Sequence, residues 1–101
     1  MERSQENEQA ATLFKALAHP VRVCIVRSLA ERGRANVSYM DACLDTSQSG
    51  ISQHLAKLRA AGIVRGVREG NEVYYELCND TVKTMLQLLF KEEQLDRKSV
   101  V

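Results

Sequence analysis

At 101 residues the chain has the length of one small domain, which can bury only a modest core. Apolar residues make up 45% of it, but no apolar run approaches the roughly 18 residues of a membrane span, which excludes an integral membrane protein. A net charge of +1, a polar N-terminus without the apolar core of an export signal, and three widely spaced cysteines predict a cytoplasmic domain with reduced thiols and no membrane partner.

Two helices are predicted in the first third of the chain. After a frayed start over residues 1–7, apolar side chains recur at helical spacing from about Asn7 to Ala18, at Ala10, Leu13, Phe14 and Leu17. Pro20 suits the first turn of a second helix, and Gly33 suits its end. The sequence therefore predicts a second helix from Pro20 to Arg32.

Two shorter helices follow. Ser38 and Asp41 have the spacing of a capping box, which predicts a short third helix through Leu44. After a turn at residues 45–47, an apolar stripe predicts a fourth helix that ends at Gly62. Its inward-facing residues are Ile51, Leu55 and Leu58.

The pattern then changes to that of β-strands. Residues 63–69 and 72–78 are rich in Val and Tyr, and Gly70-Asn71 between them can supply the positive φ of a tight hairpin. A last helix, capped by Asn79 or Asp80, precedes a charged tail over residues 91–101. The order α-α-α-α-β-β-α predicts one mainly α domain over residues 1–101, a winged helix-turn-helix with a small β-hairpin.

The fourth helix begins with side chains that are poor helix formers but good hydrogen-bonding groups. A recognition helix presents such residues to the major groove, and Gln53 is suited to adenine N6 and N7. Ser47 is equally suited to a plain N-cap, and His54 suits a backbone or phosphate bond better than a metal. The candidate DNA-binding residues of this helix are Ser47, Gln48, Ser49, Ser52, Gln53, His54 and Lys57.

The hairpin is a candidate wing. Arg65, Arg68 and Asn71 are predicted to reach the sugar-phosphate backbone or the minor groove, and Arg68 is favoured because it is nearest the tip. Between residues 47 and 75, four basic side chains stand against two acidic ones, which weakly favours an anionic partner. Lys57 and Arg59 are also consistent with a merely solvated helix face.

Three stretches together resemble the ArsR/SmtB winged-helix repressors of bacteria, namely HPVRVCIVRSL, SQSGISQHLAKLRAAGIV and REGNEVYYEL. The resemblance spans roughly residues 11–89. It implies a homodimeric transcriptional repressor whose two recognition helices enter successive major grooves of a near-palindromic operator, double-stranded DNA. The terminal helices would form the dimer, although their apolar faces could instead close the monomer's own core. The residues concerned are Leu13, Phe14, Leu17, Val82, Met85, Leu86 and Leu89.

Many members of that family release DNA when a metal binds. The stretch that matches their Cys-Val-Cys-like site is Asn-Val-Ser at residues 36–38, and the matching last-helix region, residues 79–95, has no histidine. No metal site of either familiar kind and no cofactor are predicted. Some relatives sense thiol chemistry through two cysteines, which makes Cys24 and Cys78 candidate redox residues. Structural cysteines and soft-metal binding stay open, and Cys43 is expected in the core.

Two other function classes compete with a DNA-binding repressor. The sequence has no nucleotide-binding loop, no paired carboxylates beside a histidine and no nucleophile elbow, so no enzyme is predicted. A winged-helix module that binds proteins instead of DNA is the alternative, because the fold alone does not fix the function. Salt separates the two, since DNA binding weakens steeply as salt rises.

Overall fold

The computed structural model describes residues 2–43 and 48–90, without the side chains of residues 2, 41–43, 48 and 49. This part of the chain is mainly helical with one small antiparallel sheet, which confirms the predicted fold class. In chain order the elements are α1 (Glu2–Leu17), α2 (Pro20–Arg32), β1 (Ala35–Asn36), α3 (Val37–Cys43), α4 (Gln48–Ala60), β2 (Val64–Glu69), β3 (Glu72–Leu77) and α5 (Asp80–Leu89).

The hydrophobic core lies between α2, α4, the base of the hairpin and α5. Burying one large aliphatic side chain contributes about 1.5–3 kcal/mol, so the contacts of this core decide how the helices are placed. Its buried apolar side chains in the described ranges are Ile25, Val26, Leu29, Ala35, Met40, Ile51, Leu55, Leu58, Ile63, Val64, Val82 and Leu86.

Helix α2 has the predicted boundaries because both of its ends are marked by strong local signals. His19 is the N-cap: its backbone is extended, and its Nδ1 accepts a bond of 3.1 Å from the Val21 N–H. Pro20 occupies the first helical position, where the N–H it lacks would have no intrahelical partner. At the other end, Gly33 has φ 96° and its N–H donates to the Leu29 carbonyl.

Three local predictions differ from the structure. Helix α1 begins at Glu2, earlier than about Asn7, and the sequence did not indicate β1. The capping box at Ser38 is wrong, because α3 begins one residue earlier and Ser38 lies inside it. The side-chain Oδ1 of Asn36 accepts the Tyr39 N–H at 2.8 Å, so Asn36 caps the helix instead.

The sheet has the order β1-β3-β2, with both pairs antiparallel. In the hairpin Val64 pairs with Leu77 and Glu69 with Glu72, which leaves a two-residue turn. Gly70 has φ 62°, whereas Asn71 has no positive φ. A glycine with positive φ at the first central position is the requirement of a type II′ turn, so Gly70 alone meets the predicted need.

Helix α5 is held at its start and along one face. The Asn79 side chain accepts the Val82 N–H at 3.1 Å, which identifies Asn79 as the cap. Val82 is fully buried, and the guanidinium carbon of Arg27 lies 3.8 Å from the centre of the Phe90 ring. None of the helices within residues 2–43 and 48–90 combines the length and the apolar character that a membrane span requires.

Candidate nucleic-acid interface

Helix α4 is fixed by one face and exposes the other. Ile51, Leu55 and Leu58, spaced by four and three residues, are at most 1% exposed. Side chains on the opposite side of a helix of this period must face outward. Ser52, Gln53 and Ala56 are accordingly exposed and form a face of small or polar side chains.

The structure places the described candidate residues of α4 in two environments. Ser52, Gln53 and Lys57 are exposed, whereas His54 is half-buried. Ser47 lies outside the described residues, as do the side chains of Gln48 and Ser49. The choice between a capping and a DNA-binding Ser47 therefore stays a prediction.

His54 belongs to a cluster that joins α4 to the junction of α1 and α2. Its Nδ1 lies 3.2 Å from Nη1 of Arg22, and its ring centroid is 4.5 Å from that of His19. Arg22 also donates from Nε to the Ala16 carbonyl at 2.5 Å. These contacts join residues more than 30 positions apart, and no local pattern in the sequence indicates them.

The cluster disfavours a protonated His54. Burial lowers the pKa of His54 below its ordinary value of 6.5, and the nearby His19, Arg22 and Lys57 lower it further. The Arg22 guanidinium can only donate, so Nδ1 of His54 accepts and the ring is neutral, with its proton on Nε2. His54 therefore positions α4 through a bond to Arg22, a role the sequence did not reveal.

The two candidate arginines of the wing differ in whether they form an ion pair. Arg65 contacts Glu76 through Nε at 2.7 Å and Nη2 at 2.6 Å, and Arg34 contacts Glu69 at 3.0 Å. Arg68 is exposed and forms no ion pair with any described residue. Of the two candidate wing arginines, Arg68 is thus the one whose charge no described carboxylate neutralises, and Asn71 lies exposed in the turn beyond it.

The base of the wing is tied to the helix that precedes α4. Asn36, which caps α3, also donates from Nδ2 to Glu72 Oε1 at 2.5 Å. Asn36 pairs with Tyr74 across the strands β1 and β3. One side chain therefore connects the start of α3 to the wing.

The predicted redox residues are both exposed thiols. Cys24 lies on α2 and Cys78 follows β3, with its Sγ 3.6 Å from the Gly62 carbonyl. Their exposure shows that neither is a core side chain, whereas the side chain of Cys43 lies outside the description. Within residues 2–43 and 48–90, no three His, Cys, Asp or Glu side chains come together as metal ligands.

An apolar groove of about 220 Å³ runs between α1, α2 and α5. Among the predicted dimer residues, Val82 and Leu86 form part of the groove's lining but belong to the monomer core, at 0% and 7% exposed, so they have almost no surface left to bury. Leu13 is half-buried and packs against the same core. The remaining four line the groove with Ala18 and Val23; they are Phe14, Leu17, Met85 and Leu89.

The chain is similar to known transcriptional regulators in sequence and in fold. Residues 17–67 match the family described as a helix-turn-helix domain. The transcriptional repressor PagR of Bacillus anthracis is 39% identical over 82 residues, which cover 81% of this chain and 82% of PagR. The transcriptional repressor SmtB of Mycobacterium tuberculosis is 46% identical over 72 residues, covering 71% of this chain and 53% of SmtB. The solved structure of reduced HlyU from Vibrio cholerae has a TM-score of 0.82 at 36% identity and covers 89% of this chain and 94% of HlyU.

Proposed function

This chain belongs to the ArsR/SmtB-type helix-turn-helix transcriptional regulators, DNA-binding proteins and not enzymes, and from that membership we propose that it is a cytoplasmic homodimeric repressor of a near-palindromic operator. Two copies of α4 would enter successive major grooves. A two-fold axis in the protein then mirrors the symmetry of the DNA.

The observation that carries the proposal is the exposed face of α4. Three fully buried side chains on one side hold the helix rigidly, and small or polar residues cover the side available to DNA. Small residues let the backbone approach the base edges, and Gln53 supplies a donor and an acceptor for adenine. Gln48 and Ser49 would extend this reading surface toward the start of the helix.

The apolar groove supports the dimer. Phe14 is 60% exposed and Leu89 is 69% exposed, so both leave large apolar surfaces in water in a single chain. Contiguous exposed apolar surface commonly marks an interaction site, and a two-fold interface uses the same surface on both subunits. We propose that the occupant is a second copy, because the groove lies on the two terminal helices and presents exposed apolar side chains that a two-fold interface can bury on both subunits at once.

The test is a binding measurement on DNA from upstream of the chain's own gene. Fluorescence anisotropy should give a steep loss of affinity as salt rises, because cations such as Lys57 and Arg68 displace counterions from phosphate. A randomised duplex of equal length is the control. If operator and control bound equally, or if binding were insensitive to salt, the chain would be a protein-interaction module instead.

We propose a thiol-based signal as the second part of the function. Both Cys24 and Cys78 are exposed, and accessible thiols are the ones that oxidants reach. Mild oxidation should lower operator affinity, and a reductant should restore it. The double variant Cys24→Ser, Cys78→Ser should no longer respond, and an unchanged response in that variant would rule out both thiols. A metal panel on the wild-type protein kept under reductant separates soft-metal binding from redox chemistry.

A further inference from the structure

A second concave site, separate from the apolar groove, lies at the junction of α1, α2 and α4. It has a volume of about 270 Å³, close to the small end of ligand pockets. Its lining combines basic side chains with small apolar ones. The lining residues are Thr12, Lys15, Ala16, Arg22, Lys57, Ala60 and Ala61.

The charge of this pocket is of one sign. Lys15 from α1, Arg22 from α2 and Lys57 from α4 all line it, and no acidic side chain does. None of the three forms an ion pair with a carboxylate in the described part of the chain. Three cations that converge from three helices without an acidic partner attract an anion.

Arg22 is preorganised for such a ligand. The Ala16 carbonyl accepts from Nε at 2.5 Å, and Nδ1 of His54 accepts from Nη1 at 3.2 Å. These bonds fix the guanidinium before any ligand arrives, which lowers the entropic cost of binding. Burial is the main cause of the lowered pKa of His54, and the charges of His19, Arg22 and Lys57 lower it further, as expected beside a cluster of cations.

We propose that this pocket binds a small organic anion, a carboxylate with a short apolar body. The carboxylate would lie among Lys15, Arg22 and Lys57, and the apolar part would pack on Ala16, Ala60 and Ala61. The alanines favour an organic acid over a phosphate group, because the phosphate group itself has no apolar part for them to cover. The inference does not depend on the proposed function, since the free protein should bind the ligand.

The experiment is an NMR titration of the uniformly ¹⁵N-labelled full chain with succinate at constant ionic strength. Saturable shifts are expected at the amides of residues 12–16, 22 and 57–61, with a dissociation constant of about a millimolar or below. Lys15→Gln should weaken succinate binding roughly threefold to tenfold, because one charged contact is lost. Lys83→Gln is the matched control, since Lys83 is exposed on α5 outside the pocket, and it should change nothing.

Three further probes make the outcome decisive. Succinamide, which has the same shape without charge, should not bind, and inorganic phosphate should bind more weakly than succinate because it lacks an apolar body. Equal shifts from succinamide, equal affinity for phosphate, or equal effects of the two lysine variants would each overturn the proposal. Shifts at these amides with a random DNA duplex but not with succinate would make the pocket a DNA-backbone contact instead.

Discussion

Gln53 is the residue through which the reading of bases can be tested most directly. It is exposed on α4, away from the buried Ile51 and Leu55, so its loss should leave the fold intact. Gln53→Ala should weaken operator binding by about 1–3 kcal/mol and random DNA hardly at all. Anisotropy titrations of both duplexes at one salt concentration measure this, with Gln87→Ala, an exposed glutamine of α5, as the control. An equal loss on both duplexes would remove the base-reading role.

The two wing arginines should differ because only one of them has an acidic partner. Arg68→Ala should weaken operator and random DNA alike and reduce the slope of log affinity against log salt by about one. Arg65→Ala should have the smaller effect, since Glu76 already neutralises much of its charge. The salt dependence of the two variants, measured on one duplex, compares them, and a larger change for Arg65→Ala would contradict the assignment.

His54 gives the protein a predictable response to acid. Its pKa is lowered below 6.5 in the folded state, so the unfolded chain binds more protons between that lowered pKa and 6.5. The free energy of unfolding therefore includes a part that is complete above pH 6.5 and is lost as the pH falls toward the folded pKa. Urea titrations across this range should show a weaker pH dependence for His54→Asn, which keeps an acceptor for Arg22 but cannot titrate.

The predicted pH dependence is tested by comparing the wild-type protein with His54→Asn. Only the difference between the wild-type and His54→Asn slopes reports on His54, because the substitution removes that titrating group alone. Parallel curves for the two proteins would show that the cluster does not disfavour its protonated form. A chemical-shift titration of the His54 ring provides the independent value.

At the scale of elements, the local sequence was sufficient to predict the ends of a helix where the residues concerned have a distinctive backbone preference. Pro20 and Gly33 define α2 because each has a backbone preference that few other residues share. At α3 two residues of the same capping class, Asn36 and Ser38, lie two positions apart, and the sequence could not rank them. The structure favours Asn36 because its amide also reaches Glu72, far away in the sequence.

Contacts between residues far apart in the sequence also explain the other unpredicted features. Strand β1 has only two residues, and it exists because β3 pairs with it. The contact of His54 with Arg22 is likewise tertiary. The exposed face of α4, in contrast, follows from the period of its apolar residues alone, so the most informative part of the candidate interface could be predicted. The paired state of Arg65 could not, because Glu76 reaches it only through the register of the hairpin.

The double role of Asn36 can be separated by two substitutions. Asn36→Ala removes the cap of α3 and the bond to Glu72, and it should lower the free energy of unfolding by about 1–2 kcal/mol. Asn36→Asp keeps an oxygen for the Tyr39 N–H but places a second carboxylate beside Glu72. Chemical denaturation measures the free energy of unfolding of both variants. The double variant Asn36→Asp, Glu72→Gln should be more stable than Asn36→Asp alone, because the repulsion between the two carboxylates is removed. No recovery in that variant would show that the wing contact is unimportant.

At the scale of the whole molecule, the terminal helices have two kinds of apolar residue that one sequence pattern could not separate. Val82 and Leu86 close the core of the single chain. Closure of the monomer core was the alternative to a dimer interface for all seven apolar residues of these helices, and it applies to these two. Phe14 and Leu89 keep most of their surface exposed, and they are the residues that a second copy would cover. Both interpretations therefore apply, each to different residues of the same helices.

The dimer proposal can be tested with a control that α5 itself supplies. Leu88 and Leu89 are 67% and 69% exposed, but only Leu89 lines the groove. Phe14→Ser and Leu89→Ser should convert the dimer to a monomer in sedimentation velocity and lower operator affinity, because one recognition helix alone loses the second half-site. Leu88→Ser should stay dimeric. Thermal unfolding checks that each monomer is folded, and dissociation by Leu88→Ser alone would place the interface on another face of α5.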